Sequence, residues 1–434
     1  MIRTILFDLD DTLLVNKMDQ FLPAYFQRLG DHLADIAPPE RMLSELVAGT
    51  QAMLTNLDPR VSLEQSFSQH FYPALGLEEA EVADVIEAFY REEFPRLRSQ
   101  TEPIPGVPDL VDALQLQDYE IVIATNPLFP RLAVEERLRW AGLPPDRFHF
   151  RLITSYEQFH FAKPNPEYFA EILARLGRKP GEAIMVGDDL ERDIEPAASL
   201  GLAVYHTGRP AQQKAPINAS RDSGSEIDRR AAGALDLATE EGTGKSSSDL
   251  PSGPLADLPS ILKSLTVNEV LETGFTPRNL LARLRAALAA TLTSCSALPS
   301  TAWVSRPIEG EWAPVEIIAH LRDVEREVNL PRLEAILSRI QPHLTAYDTD
   351  RWAEERAYIE QDGQTVLQEF SRARMKLINT LEGIKPEDWN RPARHALIGP
   401  TTLRELMKIA TEHDWLHMAQ LRETLDALSS LLPG

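Results

Sequence analysis

Two aspartates, two positions apart, follow an apolar run near the start of the chain. Ile5, Leu6 and Phe7 predict a buried strand, and Asp8 and Asp10 stand at its end. Because side chains alternate along an extended chain, these two carboxylates can project the same way. Two neighbouring carboxylates resist ionising together unless a cation offsets their repulsion. We therefore expect Asp8 and Asp10 to lie at a site for Mg²⁺, a hard ion that prefers oxygen ligands.

Further polar side chains lie just after a predicted strand or just before a predicted helix. They are Thr125, Asn126, Lys163, Asp188 and Asp189. The carboxyl ends of the strands form the ligand-binding edge of an open α/β sheet, so we expect these groups to converge there. Cleavage of a phosphate ester needs a nucleophile, an acid or base, a metal and donors for the phosphoryl oxygens. Together with the two early aspartates, this set supplies each of them.

The alternation of strands and helices over residues 1–209 predicts an α/β fold with a mostly parallel, Rossmann-like sheet. Short apolar runs predict its later strands at residues 119–124, 150–153, 183–186 and 203–206. Residues 16–100 instead carry apolar side chains at three- and four-residue spacing, which predicts a helical insertion. We therefore assign residues 1–15 and 101–209 to an α/β core and residues 16–100 to a helical cap.

Residues 1–209 resemble the haloacid dehalogenase superfamily. The resemblance rests on Asp8-Leu9-Asp10-Asp11-Thr12, Thr125, Lys163 and Gly187-Asp188-Asp189 with Asp193, in the order of the members that carry a helical cap. It implies that Asp8 is a nucleophile that forms an aspartyl-phosphate, and that Asp10 acts as general acid and then as general base.

The same resemblance implies the roles of the other polar residues. Thr125 and Lys163, with Asn126 beside them, would hold the phosphoryl group. Asp8, the backbone carbonyl of Asp10 and Asp188 would ligate Mg²⁺. Asp193 or Asp189 would act on this ion through water, or on Lys163.

Asp10 also distinguishes the branches of this superfamily. The dehalogenases that give it its name lack a carboxylate two residues after the nucleophile, because a departing halide needs no proton. A departing alkoxide needs one, so Asp10 favours phosphoryl chemistry. We expect a Mg²⁺-dependent phosphomonoester hydrolase that acts on a small phosphorylated metabolite. A phosphomutase on the same fold, which transfers the phosphoryl group to a second sugar hydroxyl, is an alternative.

The second half of the chain has a different character. Residues 210–259 are rich in Ala, Ser, Gly and charged residues without an apolar period, which predicts a flexible linker. From Thr276 onwards four long segments with apolar faces predict an all-helical region, so we assign residues 260–434 to a four-helix bundle.

Three histidines on two predicted helices of this bundle are candidate metal ligands. His413 and His417 lie four residues apart on the last helix and share a face, and His320 lies on the second helix. Apolar residues of the last helix predict that this face lies near the core: Leu403, Leu406, Ile409 and Leu416. Converging imidazoles suit Zn²⁺, Ni²⁺ or Fe²⁺ with positions open for water or substrate.

Residues 276–428 resemble the DinB-like four-helix bundle family. Trp312, Glu316 and His320 at four-residue spacing carry the resemblance, together with the closing pair His413 and His417. It implies a divalent transition metal such as Zn²⁺ or Ni²⁺ on the three histidines. Some relatives act on low-molecular-weight thiols. A thiol-dependent transferase as the main functional unit, or a binding or pairing module that serves the first half, are therefore alternatives.

Composition narrows the partners and the compartment. The net charge of −22 over 434 residues argues against nucleic acid and anionic membranes as partners, since both are polyanions. Cys295 is the single cysteine, so there is no internal disulfide, and we expect a reducing cytoplasm. No apolar stretch reaches the ~18–20 residues of a membrane span, and we expect no signal peptide. An exposed apolar helix face would be the route to a homodimer.

Overall fold

The computed structural model describes residues 1–16, 18–208, 250–264, 272–349 and 351–431. The chain divides into two compact units, Met1–Tyr168 with Pro180–Val270, and Phe169–Lys179 with Leu271–Gly434. The part of the predicted linker from residue 210 to 249 lies outside the described residues. Within the described ranges, no helix combines the length and the apolar character that a bilayer crossing requires.

The first unit contains a five-stranded parallel sheet and a separate antiparallel pair. The strands are β1 (Thr4–Phe7), β2 (Leu14–Asn16), β3 (Thr101–Pro103), β4 (Glu120–Ile123), β5 (Leu152–Ile153), β6 (Ala183–Gly187) and β7 (Ala203–His206). The sheet has the order β5-β4-β1-β6-β7, and all its neighbouring strands are parallel. β2 and β3 pair antiparallel at the two ends of the helical insertion. The predicted parallel sheet is confirmed.

Nine α-helices lie in the described residues between 18 and 264. They are α1 (Met18–His32), α2 (Pro39–Thr55), α3 (Leu63–Leu75), α4 (Glu79–Ala88), α5 (Val107–Gln115), α6 (Arg131–Trp140), α7 (Pro166–Leu176), α8 (Glu195–Ser199) and α9 (Leu258–Ser264). A π-helical turn (Phe89–Glu93) and a 3₁₀ segment (Phe94–Gln100) continue α4. Helices α1 to α4 occupy the segment between β2 and β3.

Local sequence explains where these helices begin and end, and α3 is an example. The Ser62 side chain accepts the N–H of Gln65, and the Gln65 side chain accepts the N–H of Ser62, which forms a capping box. At the other end Gly76 has a φ of 74°, a left-handed conformation that glycine adopts without strain.

The structure of residues 250–264 differs from the predicted linker. The sequence placed residues 250–259 in the flexible linker and residue 260 onwards in the bundle. Leu258 and Leu262 instead belong to the hydrophobic core of the first unit, and the Tyr205 hydroxyl donates to the carbonyl of Pro254 at 2.9 Å. The physical reason is the helical spacing of apolar side chains in α9, which lets one face bury against the sheet unit.

The second unit is built on four long helical segments. Besides most of α7, its helices are α10 (Pro277–Cys295), α11 (Ser300–Trp303), α12 (Pro314–Val324), α13 (Leu330–Ser338), α14 (Trp352–Glu355), α15 (Gly363–Glu382) and α16 (Leu403–Leu431). A π-helical turn, Glu325–Asn329, joins α12 to α13. α10 and α12 both pack against α15 and α16, which gives a four-helix bundle as predicted.

The expectation of an entirely helical second half is wrong. Three short strands, β8 (His343–Leu344), β9 (Pro392–His395) and β10 (Gly399–Thr402), form a small sheet in the order β10-β9-β8. β9 and β10 form an antiparallel hairpin, and Gly399 begins β10 with a φ of 79°. Runs this short leave no clear period in the sequence, so periodicity does not distinguish them from helix connections.

A buried ion cluster lies in the core of the bundle. The Arg374 guanidinium donates to both carboxylate oxygens of Asp414, at 2.7 and 2.9 Å, and to Glu325 at 2.5 Å. The Arg374 side chain is 1% exposed. Burial raises the pKa of Glu325, and Arg374 opposes that rise. The arginine is therefore the charge that makes two buried carboxylates tolerable.

Arg374→Met should destabilise the bundle by about 3–5 kcal/mol, because it leaves two buried carboxylates without their cation. Urea unfolding followed by tryptophan fluorescence measures this, since five of the six tryptophans lie in residues 303–415. Arg372→Met, two residues away and exposed on the same helix, is the matched control.

The destabilisation should also depend on pH. Carboxyl groups whose pKa is raised by folding penalise the folded state above that pKa, and the penalty disappears below their unfolded pKa. The loss caused by Arg374→Met should therefore be smaller at about pH 5 than at about pH 8. A pH-independent loss, or one equal to that of Arg372→Met, would contradict the role of this cluster.

Candidate functional site

Three adjacent strands bring the predicted residues to one edge of the sheet. In the register of the sheet Phe7 lies beside Ile123 of β4 and beside Val186 of β6. The Asp8 N–H donates to the carbonyl of Val186 at 2.9 Å, and the Ala124 N–H donates to the carbonyl of Phe7 at 2.7 Å. Asp8, Thr125 and Asp188 therefore follow three neighbouring strands at their carboxyl ends.

Lys163 joins the acidic groups of this edge. Its ammonium donates to Asp8 Oδ1 at 2.7 Å and to Asp193 Oδ1 at 2.5 Å, and its side chain is 2% exposed. The Lys163 N–H donates to the side-chain oxygen of Asn126 at 3.1 Å, which positions the segment that carries the lysine. The structure thus brings Asp8, Asn126, Lys163 and Asp193 together, although they are up to 185 residues apart in the chain.

The charges at this edge are not balanced by protein groups alone. Burial raises the pKa of Asp8 well above its usual value and also raises that of Asp193, and in both cases the Lys163 ammonium opposes the rise. Burial raises the pKa of Asp188 to about 7, with repulsion from Asp193 adding to it. Burial disfavours the Lys163 ammonium, but Asp193 and Asp8 outweigh this and raise its pKa. One ammonium therefore faces three crowded carboxyl groups.

This donor set fits a magnesium ion. Carboxylate oxygens of Asp8, Asp188 and Asp193 all lie within 4.8 Å of one another. All three offer hard oxygen ligands, and a divalent cation would remove the repulsion that raises their pKa values. The Thr12 hydroxyl lies 3.4 Å from Asp188 Oδ1 and donates to it.

The turn after β6 explains how Asp193 reaches this cluster and what Asp189 does. The Asp189 carboxylate caps the π-helical turn Leu190–Ile194 by accepting the N–H groups of Glu191 and Arg192. This capped turn brings Asp193 back towards the strand end, where a Cβ on Gly187 would collide with its carboxylate. Glycine at position 187 is thus a condition for the position of Asp193.

The Asp10 carboxylate is bound by two residues that the sequence analysis missed. Asp10 Oδ1 accepts from Asn16 Nδ2 at 2.9 Å, and Asp10 Oδ2 accepts from Arg137 Nη1 at 2.6 Å. The Arg137 side chain is 1% exposed. Its position was visible in the sequence as an arginine on the apolar face of α6, between Val134 and Leu138.

The backbone carbonyl of Thr125 is held by two hydrogen bonds. Its carbonyl accepts from the Thr154 hydroxyl at 2.7 Å and from the Tyr168 hydroxyl at 2.8 Å. Thr125 is buried, and these bonds orient the end of β4 towards Asp8. Thr154 and Tyr168 carry no motif signal, because their part in the site is a contact with a backbone carbonyl.

The second unit brings its three histidines together. Ring nitrogens of His320, His413 and His417 all lie within 4.8 Å of one another, and Nε2 of His320 lies 3.0 Å from Nε2 of His413. Nitrogens on a tetrahedral zinc ion are roughly 3.3 Å apart, given Zn–N distances of about 2.0–2.1 Å. Burial lowers the pKa of His320 to about 3, so its ring is neutral, which is the form that ligates metals. The donor set fits a divalent transition metal.

The orientation of this triad differs in part from the prediction. Leu403 and Leu406 are buried, but Ile409 and Leu416 are 42% and 62% exposed. The histidines therefore lie on the flank of the buried stripe of α16, which is made by Leu403, Met407, Ala410, Asp414, Met418 and Leu421.

Neighbouring residues orient the histidines. His417 Nδ1 lies 3.0 Å from the Gln420 side-chain oxygen, and the Gln420 amide donates to Glu311 at 2.9 Å. The Trp312 ring is parallel to the His417 ring, with centroids 5.8 Å apart. Glu316 accepts the N–H of Ala313 at 2.9 Å, so it caps the helix that carries His320.

Comparisons with known proteins match two separate parts of the chain. The family model of haloacid dehalogenase-like hydrolases matches residues 2–201, and the DinB superfamily model matches residues 283–421. Pyrophosphatase PpaX from Listeria monocytogenes is 30% identical over 197 residues, which are 45% of this chain and 77% of that protein. Glyceraldehyde 3-phosphate phosphatase from Methanopyrus kandleri is 27% identical over 242 residues, 53% of this chain and 94% of that protein. The solved structure of YfiT from Bacillus subtilis, a four-helix bundle, has 16% identity and a TM-score of 0.33, and covers 35% of this chain and 87% of its own.

Gly187→Ala should disrupt the carboxylate cluster, because the added Cβ would overlap the Asp193 carboxylate. We expect a loss of about 1–3 kcal/mol in the stability of the first unit, the usual range for overpacking. Thermal unfolding followed by circular dichroism measures it. Gly30→Ala is the control, since a Cβ there would meet Pro39 at an ordinary 3.5 Å. Equal melting temperatures for Gly187→Ala and the unmodified protein would contradict the crowding of this site.

Proposed function

This chain belongs to the haloacid dehalogenase-like hydrolases, and we propose that it hydrolyses phosphate monoesters through a covalent intermediate on Asp8. The observation that carries the proposal is the buried Lys163 ammonium between Asp8 and Asp193, with Asp188 beside them. A carboxylate held in place by a cation at the ligand-binding edge of the sheet is suited to nucleophilic attack on phosphorus. In this proposal residues 1–15 and 101–209 form the catalytic core, and residues 16–100 cover it.

In the first step an oxygen of Asp8 attacks the phosphorus atom. Lys163 holds Oδ1, which leaves Oδ2 for the attack. The bond between phosphorus and the leaving oxygen breaks, and Asp10 gives that oxygen a proton. Thr125 and Asn126 lie at the same edge, where Thr125 and Lys163 orient the phosphoryl oxygens.

In the second step water attacks the phosphorus atom of the aspartyl-phosphate and Asp10 takes a proton from it. The bond between phosphorus and Asp8 breaks, which releases inorganic phosphate and restores the Asp8 carboxylate. We propose that Asp8, Asp188 and the backbone carbonyl of Asp10 hold Mg²⁺, with Asp193 supporting the cluster. When bound, this ion would neutralise charge on the phosphoryl oxygens.

The substrate class we propose is a small phosphorylated metabolite. The names of two relatives, glyceraldehyde 3-phosphate phosphatase and pyrophosphatase PpaX, support phosphate-releasing hydrolysis of small molecules. Water rather than a second sugar hydroxyl is then the acceptor, which distinguishes the hydrolase from the phosphomutase alternative. A screen of phosphorylated metabolites that measures both phosphate release and phosphorylated product would separate them.

Asp8→Asn should abolish phosphate release, since the amide is a poor nucleophile and cannot form the covalent intermediate. The measurement is inorganic phosphate released from the best substrate of the screen, with Mg²⁺ present and with the metal chelated. We expect the unmodified enzyme to lose activity on chelation. Arg139→Met, an exposed change on α6, should leave the rate unchanged. Full activity in Asp8→Asn would refute the mechanism.

For the second unit we propose a divalent transition metal on His320, His413 and His417. The support is the convergence of three ring nitrogens and the neutral state of His320. A low-molecular-weight thiol as partner, a homodimer and a cytoplasmic location stay predictions from sequence.

His320→Ala should remove metal binding by the second unit. Co²⁺ or Ni²⁺ near the Trp312 ring should quench tryptophan fluorescence, because that ring lies 5.1 Å from His320 and 5.8 Å from His417 between centroids. We expect saturable quenching in the full chain and none in His320→Ala. His343→Ala, an exposed histidine on β8, is the control. Undiminished quenching and metal content in His320→Ala would exclude this site.

A further inference from the structure

Arg137 is a buried cation that lies outside the motifs on which the resemblance to the haloacid dehalogenase superfamily rests. It lies on α6 among Ala133, Val134 and Leu138, all of them buried apolar residues. Its guanidinium lies over the Phe129 ring, 4.9 Å from the ring centroid. A leucine or methionine would fill this apolar position at no electrostatic cost, so the presence of an arginine calls for a function.

Within the part of the chain that the structure describes, Asp10 is the one charged side chain that pairs with Arg137. Arg137 Nη1 donates to Asp10 Oδ2 at 2.6 Å, while Nε and Nη2 are buried and have no hydrogen-bond partner among the described residues. Buried guanidinium N–H groups without hydrogen-bond partners destabilise the folded state. The ion pair with Asp10 is the interaction that offsets this cost. The pair therefore serves Asp10 rather than the general stability of α6.

The two oxygens of Asp10 have unlike partners. Oδ2 is bound to a cation on a helix of the α/β core, and Oδ1 is bound to the neutral amide of Asn16 at the end of β2. A charge-assisted bond to Arg137 is the stronger of the two, so Oδ2 is the anchored oxygen. Oδ1 is the oxygen that can exchange its partner for a substrate or water.

We propose that Arg137 is a positioning residue for Asp10, and that it fixes Oδ2 so that Oδ1 performs both proton transfers. In the first step Oδ1 gives its proton to the leaving oxygen as the bond from phosphorus to that oxygen breaks. The negative charge left on Asp10 lies against the Arg137 guanidinium. In the second step Oδ1 takes a proton from the attacking water as the bond between phosphorus and Asp8 breaks. This inference rests on the proposed phosphatase function.

Leaving-group dependence tests the inference, because only a poor leaving group needs the proton. We compare ethyl phosphate, a poor leaving group, with para-nitrophenyl phosphate, a good one. The quantity to compare is kcat/KM, which reports the first step, since the second step is common to both substrates. Arg137→Met should lower kcat/KM on ethyl phosphate by about tenfold or more, a part of the roughly 10²–10⁴-fold that general acid catalysis supplies. The loss of kcat/KM on para-nitrophenyl phosphate should be several times smaller. Arg139→Met, two residues along α6 and exposed, should change neither.

A double-mutant cycle separates positioning from a structural role. If Arg137 acts through Asp10, adding Arg137→Met to Asp10→Asn should cause no further loss on ethyl phosphate. Arg137→Lys, which keeps the cation, should retain more activity than Arg137→Met. If Arg137→Met does not fold, Arg137→Lys takes its place in the comparison of the two substrates. Thermal unfolding of each variant reports on folding independently of activity.

The outcomes are distinct. Equal losses on the two substrates, or additive losses in the double variant, would overturn the role of Arg137 while leaving the phosphatase proposal intact. An unmodified enzyme that hydrolyses neither substrate nor any member of the metabolite screen would overturn the phosphatase proposal, and this inference with it. A selective loss on ethyl phosphate that disappears in the Asp10→Asn background supports the inference.

Discussion

The buried Lys163 ammonium between Asp8 and Asp193 is the interaction on which the first unit's chemistry depends. Carboxylate oxygens of Asp8, Asp188 and Asp193 lie within 4.8 Å of one another in a site that excludes most solvent. Like charges about 4 Å apart repel by about 4 kcal/mol at an effective dielectric constant of about 20, so such a cluster cannot stay ionised on its own. One lysine offsets part of that repulsion, and a divalent cation would offset the rest. The unfavourable crowding of carboxylates thus favours the binding of a cation at this edge, and a bound cation would in turn attract a phosphoryl group.

The rest of the fold supplies rigid supports for this edge. The parallel register of β1, β4 and β6 brings three chain segments together, and Thr154 and Tyr168 hold the backbone of Thr125 from behind. The four-helix bundle also pairs buried charges, since Arg374 offsets the burial of Glu325 and Asp414 in its core. The histidines lie on the flank of α16, outside this ion cluster. In both units buried charge is placed where tertiary structure provides a counter-charge.

Much of this could be predicted because strand ends are marked in the sequence. Apolar runs that stop at polar residues located Asp8, Thr125 and Asp188, and parallel topology then required them to meet. The sequence shows Arg137 as an arginine on an apolar helix face, but it could not reveal that this residue binds Asp10, because the two meet only through tertiary packing. The burial of α9 and the exposure of Ile409 and Leu416 were misjudged, since local periodicity does not say which flank of a helix a neighbour covers. The small β8-β9-β10 sheet was missed because its strands are too short to show a period.

Detection of the covalent intermediate tests the central claim most directly. The enzyme is quenched in acid during turnover of its best substrate, and its peptides are analysed by mass spectrometry for an attached phosphoryl group. The account predicts a phosphoryl group on Asp8 in the quenched sample and none in a sample quenched without substrate. Turnover with the phosphoryl group on another residue would contradict the account and would leave the Lys163 cluster without a catalytic purpose.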